Sequence, residues 1–274
     1  MGGPVQSIRK RWYSLTASPK AARKQWGGQY WEEDDKGIRH VACRRCPKFQ
    51  PEPPACSVPF GSPLRKCVVA SMEAHLHDAS GEDVLEIGFG RFALGRNLVR
   101  RSGGTWTGVD PEAPEDGPVR VGARVRGHAA AIPFPDETFH RVIGVQTLEH
   151  WGQRLKGSET RPPDYVTCLR EVWRVLKPGG RLYLDAPIHL HGHEMFILGD
   201  LPRIAAQFDP GLWTDLRMEK WRAEHDPLPR YAPGPNLYPQ WEREVESYPP
   251  EQVEAVKQGT IWLLAITARK RPDA

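Results

Sequence analysis

The spacing of apolar positions changes period several times along the chain, and each change predicts an element. Residues 1–63 show little periodicity, with aromatic punctuation at Trp26, Tyr30 and Trp31. From Pro63 onward Leu64, Cys67, Val68, Ser71, Met72, His75 and Leu76 recur at spacings of three and four, which predicts a helix with one apolar face. Asp83-Val84-Leu85-Glu86-Ile87-Gly88 is a buried-strand pattern closed by glycine, and a helix-like run from Phe92 to Arg101 follows it. Thr105 to Asp110 reads as a second strand ending in a carboxylate, the third falls within Val119 to Gly127, and His140 to Gln146 reads as the fourth. A helix is predicted from Asp164 to Leu176, with Val166, Leu169, Val172, Trp173 and Leu176 on one face and Lys177-Pro178-Gly179-Gly180 to stop it. Arg181 to Ala186 is a fifth strand, Leu201 to Phe208 a helix, and Leu212 to Trp221 and Ile261 to Ala268 the last two strands, arranged as a hairpin.

Strands alternating with helices predict an α/β fold, a mostly parallel sheet covered on both faces. The organisation read from this pattern is an N-terminal extension at 1–63, a core at 64–222, a Pro-rich insertion at 223–258 and a final core strand and tail at 259–274. With 274 residues, 39% of them apolar, the chain can build one sizeable core with decorations.

Charge narrows the function classes. The net charge of +4 arises from 38 basic and 34 acidic residues, a balance more even than that of a dedicated nucleic-acid binder. The basic excess lies mainly in residues 8–48 and reads as a solvated arm. No stretch approaches the roughly 20 consecutive apolar residues of a membrane helix, and the first residues lack a basic-then-apolar order, so a soluble, cytoplasmic protein is expected. Five cysteines in such a chain point to free thiols or a metal rather than disulfides. Cys43 and Cys46 have the spacing of half a zinc knuckle, which Cys56 with His40 or Cys67 can complete; a second CxxC or HxxxH pair is lacking. Cys67 also lies on an apolar helix face, where a buried inert thiol is the commoner explanation.

The chemistry-bearing residues gather at the predicted carboxyl ends of strands. Glu86-Ile87-Gly88-Phe89-Gly90 puts two glycines where the backbone passes close to a ligand, and Asp110, some twenty residues on, can accept both hydroxyls of a ribose. The fourth and fifth strands open into Gln146-Thr147-Leu148-Glu149-His150-Trp151 and Ile188-His189-Leu190-His191-Gly192-His193-Glu194. Three histidines in five residues form the densest local cluster; they can act as bases, bind loop carbonyls or ligate a divalent metal.

Val84 to Gly90, Asp110, Ile132-Pro133-Phe134-Pro135-Asp136-Glu137-Thr138-Phe139 and Glu171-Val172-Trp173-Arg174-Val175-Leu176-Lys177-Pro178-Gly179-Gly180 together resemble the type 11 family of class I methyltransferases. The resemblance covers about residues 64–186. It implies a Rossmann-like, seven-stranded, mostly parallel sheet and S-adenosylmethionine as cofactor, leaving S-adenosylhomocysteine as product. It implies that Glu86, Gly88, Phe89 and Gly90 hold the methionine part of the cofactor and Asp110 its ribose, with Gln146 beside them. His128-Ala129 stands where the family has an Asp-Ala pair at the adenine, and Phe139-His140 replaces Phe-Asp, which reads as a surface change.

The acceptor is then expected over strands four and five. His150 and His189 are the leading bases, with His191, His193 and Glu149 as further catalytic candidates. Glu149 or Glu194 can instead pair with a cationic acceptor, and Tyr30, Trp31, Trp151, Tyr231 and Tyr238 offer rings to a substrate. The histidine loop with Phe196 to Leu201 is loosely similar to bacterial methyltransferases acting on sugars of surface glycans or aminoglycoside antibiotics, which implies a saccharide acceptor. Two other readings stay open: a ribosomal-RNA guanine methyltransferase with an N-terminal zinc module, and a binding protein that has kept the fold without the chemistry.

Overall fold

A computed structural model describes residues 31–33, 38–41, 49–51, 54–56, 65–90, 94–113, 119–151, 164–189, 192–223 and 262–273. In chain order the elements are β1 (Trp31–Glu33), β2 (Ile38–Val41), β3 (Phe49–Pro51), β4 (Pro54–Cys56), α1 (Arg65–Leu76), β5 (Asp83–Ile87), α2 (Leu94–Arg101), β6 (Thr105–Asp110), β7 (Arg124–Arg126) and β8 (Phe139–Val145). They continue with α3 (Tyr165–Val175), β9 (Leu176–Ile188), α4 (Glu194–Leu198), α5 (Leu201–Ala205), β10 (Trp213–Ala223) and β11 (Trp262–Lys270).

One sheet runs in the order β1-β2-β10-β11-β9-β8-β5-β6-β7. Strands β7, β6, β5, β8 and β9 are parallel, β11 is antiparallel to β9, and β10 is antiparallel to β11. Strand β11 is therefore the reversed member of an otherwise parallel set, and the seven strands from β7 to β10 form the Rossmann-like sheet of a class I methyltransferase. The chain starts in the middle at β5, goes outward to β7 and then returns to the other side at β8, so a topological switch point lies between β5 and β8. Part of the segment read as an irregular extension adds to the edge: β2 pairs in parallel with β10, Ile38 opposite Lys220, and β1 pairs with β2. Strands β3 and β4 form a separate pair.

Both faces are covered. Helix α3 buries Tyr165, Cys168, Leu169, Val172 and Val175 against one face, where Leu85, Val142, Leu182 and Leu264 lie. Helix α1 buries Cys67, Val68, Met72 and Leu76 against the other, with Val84, Ile143, Trp221 and Leu263. Val166, expected on the apolar face of α3, is instead exposed, because the stripe runs through Tyr165 and Leu169 and leaves the intervening side chain facing out. Asp164 caps α3 by accepting from Thr167 N at 2.7 Å, and the helix ends at Val175 because Leu176 is already extended. Lys177 to Gly180, expected only to stop the helix, is the start of a long β9. The helix read at Leu201 to Phe208 stops at Ala205, and the short α4 precedes it, closed by Gly199 in the left-handed conformation.

The two sequence segments that most resemble the methyltransferase family turn out to grip each other. Arg174 donates to the carbonyls of Ile132 and Phe134 and to Asp136 and Glu171, while Glu171 accepts from Ile132 N at 3.0 Å. His140, read as a surface change, is half-buried, and its Nδ1 accepts from Asp83 N at 3.0 Å. Among the described residues no helix is long and apolar enough to cross a membrane.

Candidate active site at the carboxyl edge of the sheet

The glycine turn after β5 is fixed from two sides. Gly88, at φ 69°, donates to Val109 O at 2.8 Å, and a Cβ there would collide with the Thr147 side chain. Gly90, at φ 51°, has open space where a Cβ would be, and its N–H donates to Asp110 Oδ2 at 2.8 Å. Asp110 Oδ1 accepts from Glu112 N at 2.8 Å, so the carboxylate is oriented while each oxygen keeps a further acceptor site. Phe89 is buried edge-on to Trp106, and the Arg124 guanidinium lies over its ring. Past β7, His128 Nδ1 accepts from Ala130 N at 3.2 Å, Ala129 is buried, and burial lowers the His128 pKa, which keeps the ring neutral.

Glu86 lies beneath this turn. It is buried, accepts from Trp106 Nε1 at 2.5 Å, and packs so tightly on Gly95 of α2 that a Cβ at that glycine would overlap its carboxylate. Burial raises its pKa to about 7 against the lowering effect of the Trp106 hydrogen bond, and nearby Asp185 pushes the same way as burial.

The end of β8 is strained and polar. Gln146 sits at φ 49° and donates its N–H to Asp185 Oδ1 at 2.9 Å; the other Asp185 oxygen accepts from Tyr183 OH at 2.9 Å, and Tyr183 OH is 3.1 Å from Ser71 Oγ. Next comes a 3-10 turn, Leu148–His150. Glu149 in that turn is wholly buried, neither carboxylate oxygen has a hydrogen-bond partner, and burial raises its pKa to about 8. Gly192, at φ 100°, backs onto it, and His193 N donates to Glu149 O at 2.8 Å. His150 is about half exposed, with Nε2 3.7 Å from Glu149 Oε1.

His189, at φ 58°, ends β9, the strand beside β8. Its Nδ1 is 2.9 Å from Ile197 O, an acceptor, so the hydrogen sits on Nδ1 and Nε2 is the basic nitrogen; burial lowers its pKa. Non-glycine residues with positive φ are rare, and two of those in this protein, Gln146 and His189, end neighbouring strands at this edge. His193 is occupied as a cap: its Nδ1 accepts from Met195 N at 3.3 Å and its ring stands edge-on to Tyr165. Glu194 is 3.5 Å from Arg203, and Trp151 is buried against Tyr165.

The structure thus brings Gly88, Gly90, Asp110, Gln146, Glu149, His150 and His189 to one edge, and directs Glu86, Trp151 and His193 inward or into local packing. Tyr30, His191, Tyr231, Tyr238, Cys43 and Cys46 lie outside the described residues, while Trp31 and Cys56 belong to β1 and β4. Among the described residues no cluster of three metal-ligating side chains occurs. Asp185 was missed in the sequence, although a carboxylate inside the apolar run Leu182-Tyr183-Leu184-Asp185-Ala186 was a usable signal.

Residues 85–184 match the family described as a methyltransferase domain. The core carries a methyltransferase domain. A rice (Oryza sativa subsp. japonica) chloroplastic 2-methyl-6-phytyl-1,4-hydroquinone methyltransferase 1 is 34% identical over 65 residues, 24% of this chain and 16% of that protein. A demethylmenaquinone methyltransferase from Geobacillus sp. (strain WCH70) is 44% identical over 61 residues, 21% of this chain and 20% of that protein. The chain thus matches a fifth or less of either relative's length. Among solved structures, a Haemonchus contortus phosphoethanolamine N-methyltransferase 2 in complex with S-adenosyl-L-methionine has a TM-score of 0.43 at 14% identity, covering 76% of this chain and 53% of that one. The YcgJ protein from a Bacillus species has a TM-score of 0.45 at 19% identity, over 75% of this chain and 98% of that one.

The cofactor that such a domain uses, S-adenosylmethionine, fits the residues present. The open space above Gly90 admits a ligand against the backbone, and the Asp110 carboxylate beside it is already oriented and retains acceptor capacity for two hydroxyls.

Proposed function

We propose that the protein is an S-adenosylmethionine-dependent methyltransferase that methylates a nitrogen or oxygen of a small molecule, a sugar or amino sugar of the aminoglycoside type. The observation that carries the reading is the hydrogen bond from Gly90 N to Asp110, which joins the glycine turn of β5 to the carboxylate ending β6 at an open edge. Asp110 and the turn hold the ribose and the methionine part respectively. When bound, the cofactor supplies an electrophilic sulfonium methyl. The chain's task is to hold the acceptor in line with it and take up a proton.

His150 is the side chain best placed to take that proton, because it is half exposed at the end of β8 and has Glu149 3.7 Å behind it to stabilise the imidazolium. His189 offers a neutral ring whose Nε2 is the basic nitrogen. The named relatives act on a hydroquinone and on demethylmenaquinone, whereas the described rim here carries His150, His189 and Glu194, which supports a hydroxyl- or amine-bearing acceptor.

Calorimetric titration with S-adenosylhomocysteine, then with an aminoglycoside, a neutral disaccharide and a structured RNA into the loaded protein, tests this reading. Micromolar cofactor binding followed by saccharide binding is expected. Absence of heat with the cofactor overturns it, and strongly salt-dependent RNA binding transfers the acceptor to RNA.

A further inference from the structure

Three buried carboxyl groups underlie the carboxyl edge: Glu86 on β5, Glu149 in the turn after β8, and Asp185 on β9. They are electrostatically coupled, Asp185 to Glu86 and Glu149 to Asp185. Among the described residues no lysine or arginine side chain pairs with any of them. Glu86 has Trp106 Nε1 and the Arg96 backbone, Asp185 has Gln146 N and Tyr183 OH, and Glu149 has neither oxygen partnered. The other groups facing the cluster are the Arg96 side chain on α2, Ser71 on α1 through Tyr183, and His150 beside Glu149. Carboxylates so buried, without a basic partner, are stabilised by a cation bound next to them.

Resting on the methyltransferase reading above, we propose that Glu86, Glu149 and Asp185 form a charge-sensing cluster that distinguishes the sulfonium cofactor from its neutral thioether product. S-adenosylmethionine carries a sulfonium charge that S-adenosylhomocysteine lacks; their ammonium and carboxylate groups are shared. A positive charge at the edge favours the ionised cluster, so the charged cofactor binds with proton release and the thioether without it. Burial, the main cause, raises the three groups to about 7 for Glu86 and Asp185 and about 8 for Glu149, which places the exchange between pH 6 and 8. Transfer of the methyl group then removes the stabilising charge, and the cluster takes its protons back as the product leaves.

Calorimetry of the whole chain with each ligand, in two buffers of different ionisation enthalpy, counts the protons. S-adenosylmethionine is expected to release about half a proton or more near pH 7.5, so that its affinity rises about threefold per pH unit, while S-adenosylhomocysteine affinity stays flat. Glu149→Gln is expected to reduce the count, and Asp185→Asn, which keeps an acceptor for Gln146 N, to reduce it likewise. Equal proton release by the two ligands in the unsubstituted protein overturns the proposal and leaves the methyltransferase reading intact, whether or not the variants fold. An unchanged count in both folded variants also overturns it. Absence of heat with either ligand overturns that reading, and this proposal with it.

Discussion

Replacing Arg174 by Met keeps much of the side chain's length and removes every polar contact it makes. Those contacts are Nη1 to Phe134 O at 2.8 Å and to Asp136 at 2.7 Å, Nη2 to Ile132 O and Glu171 at 2.9 Å, and Nε to Glu171 at 2.8 Å. The Asp136 part adds little, since that carboxylate is 73% exposed, and such pairs contribute about 0–1 kcal/mol. The two bonds to carbonyls matter more: each is charge-assisted, worth about 1.5–3 kcal/mol when shielded, and Arg174 is itself only partly shielded. A net loss of about 3 kcal/mol follows, which for a core of this size lowers the melting temperature by about 6–12 °C. Urea unfolding of the two proteins at equal protein concentration measures it. A loss below about 1 kcal/mol would mean that residues 132–136 hold their course through Ile132 and Phe134 burial alone, and that the clamp is incidental. Glu171→Gln separates the pair from the carbonyl bonds, since it weakens only the contacts of Arg174 to its i−3 neighbour and the acceptance of Ile132 N.

Asp110→Ala is expected to weaken S-adenosylhomocysteine binding tenfold or more, because the carboxylate is lost both to the ligand and to Gly90 N; unchanged affinity in calorimetry refutes the ribose assignment. His150→Ala and His189→Ala are each expected to leave that affinity in place, and the one that serves as base to slow methyl transfer by about 10²-fold in a single-turnover assay. A variant with full activity excludes that histidine as the base. Stability should also depend on pH through Glu149: its carboxyl is held at about 8 by burial, against 4.5 for the ordinary group, so the folded form binds more protons than the unfolded between those values. Its contribution therefore falls as pH rises from about 4.5 to 8, and Glu149→Gln should remove that decline; a denaturation series in which both proteins show the same slope refutes it.

Periodicity made the sheet legible because its strands are buried on both faces and its helices on one, so apolar runs and stripes alternate as the layers do. The glycine turn and Asp110 were legible for a different reason: backbone conformation and a carboxylate at a strand end are local properties. Asp185 and the partnerless state of Glu149 were not, since they depend on which strands become neighbours, and β9 lies beside β8 only once the chain has crossed back over the sheet. His193 was read as chemistry and is a cap, because a histidine two residues before Met195 can satisfy a helix-end N–H that no sequence pattern here announces. The edge strands β1 and β2 were missed because three- and four-residue strands carry too little alternation to register.

The two ends of the sheet treat buried charge in opposite ways, and the contrast bears on function. At the amino end, Arg141 is buried and paired with Asp78 and Glu82, and Arg181 reaches the same two carboxylates. Burial would raise the Asp78 pKa, yet the hydrogen bonds from Arg181 and Arg141 bring it well below the usual carboxylate range. At the carboxyl end, a few residues along the same strands, Asp185 and Glu149 are buried more completely and no arginine among the described residues reaches them. Chance placement of acids does not account for the difference, because an unpaired buried carboxyl is destabilising and the sheet shows how readily it pairs such groups elsewhere. The strained residues Gln146 and His189 lie at that same end, and Gln146 is held there by its hydrogen bond to Asp185. Strain and uncompensated charge at one edge, with neither at the other, are what a fold retains where a cationic ligand completes it.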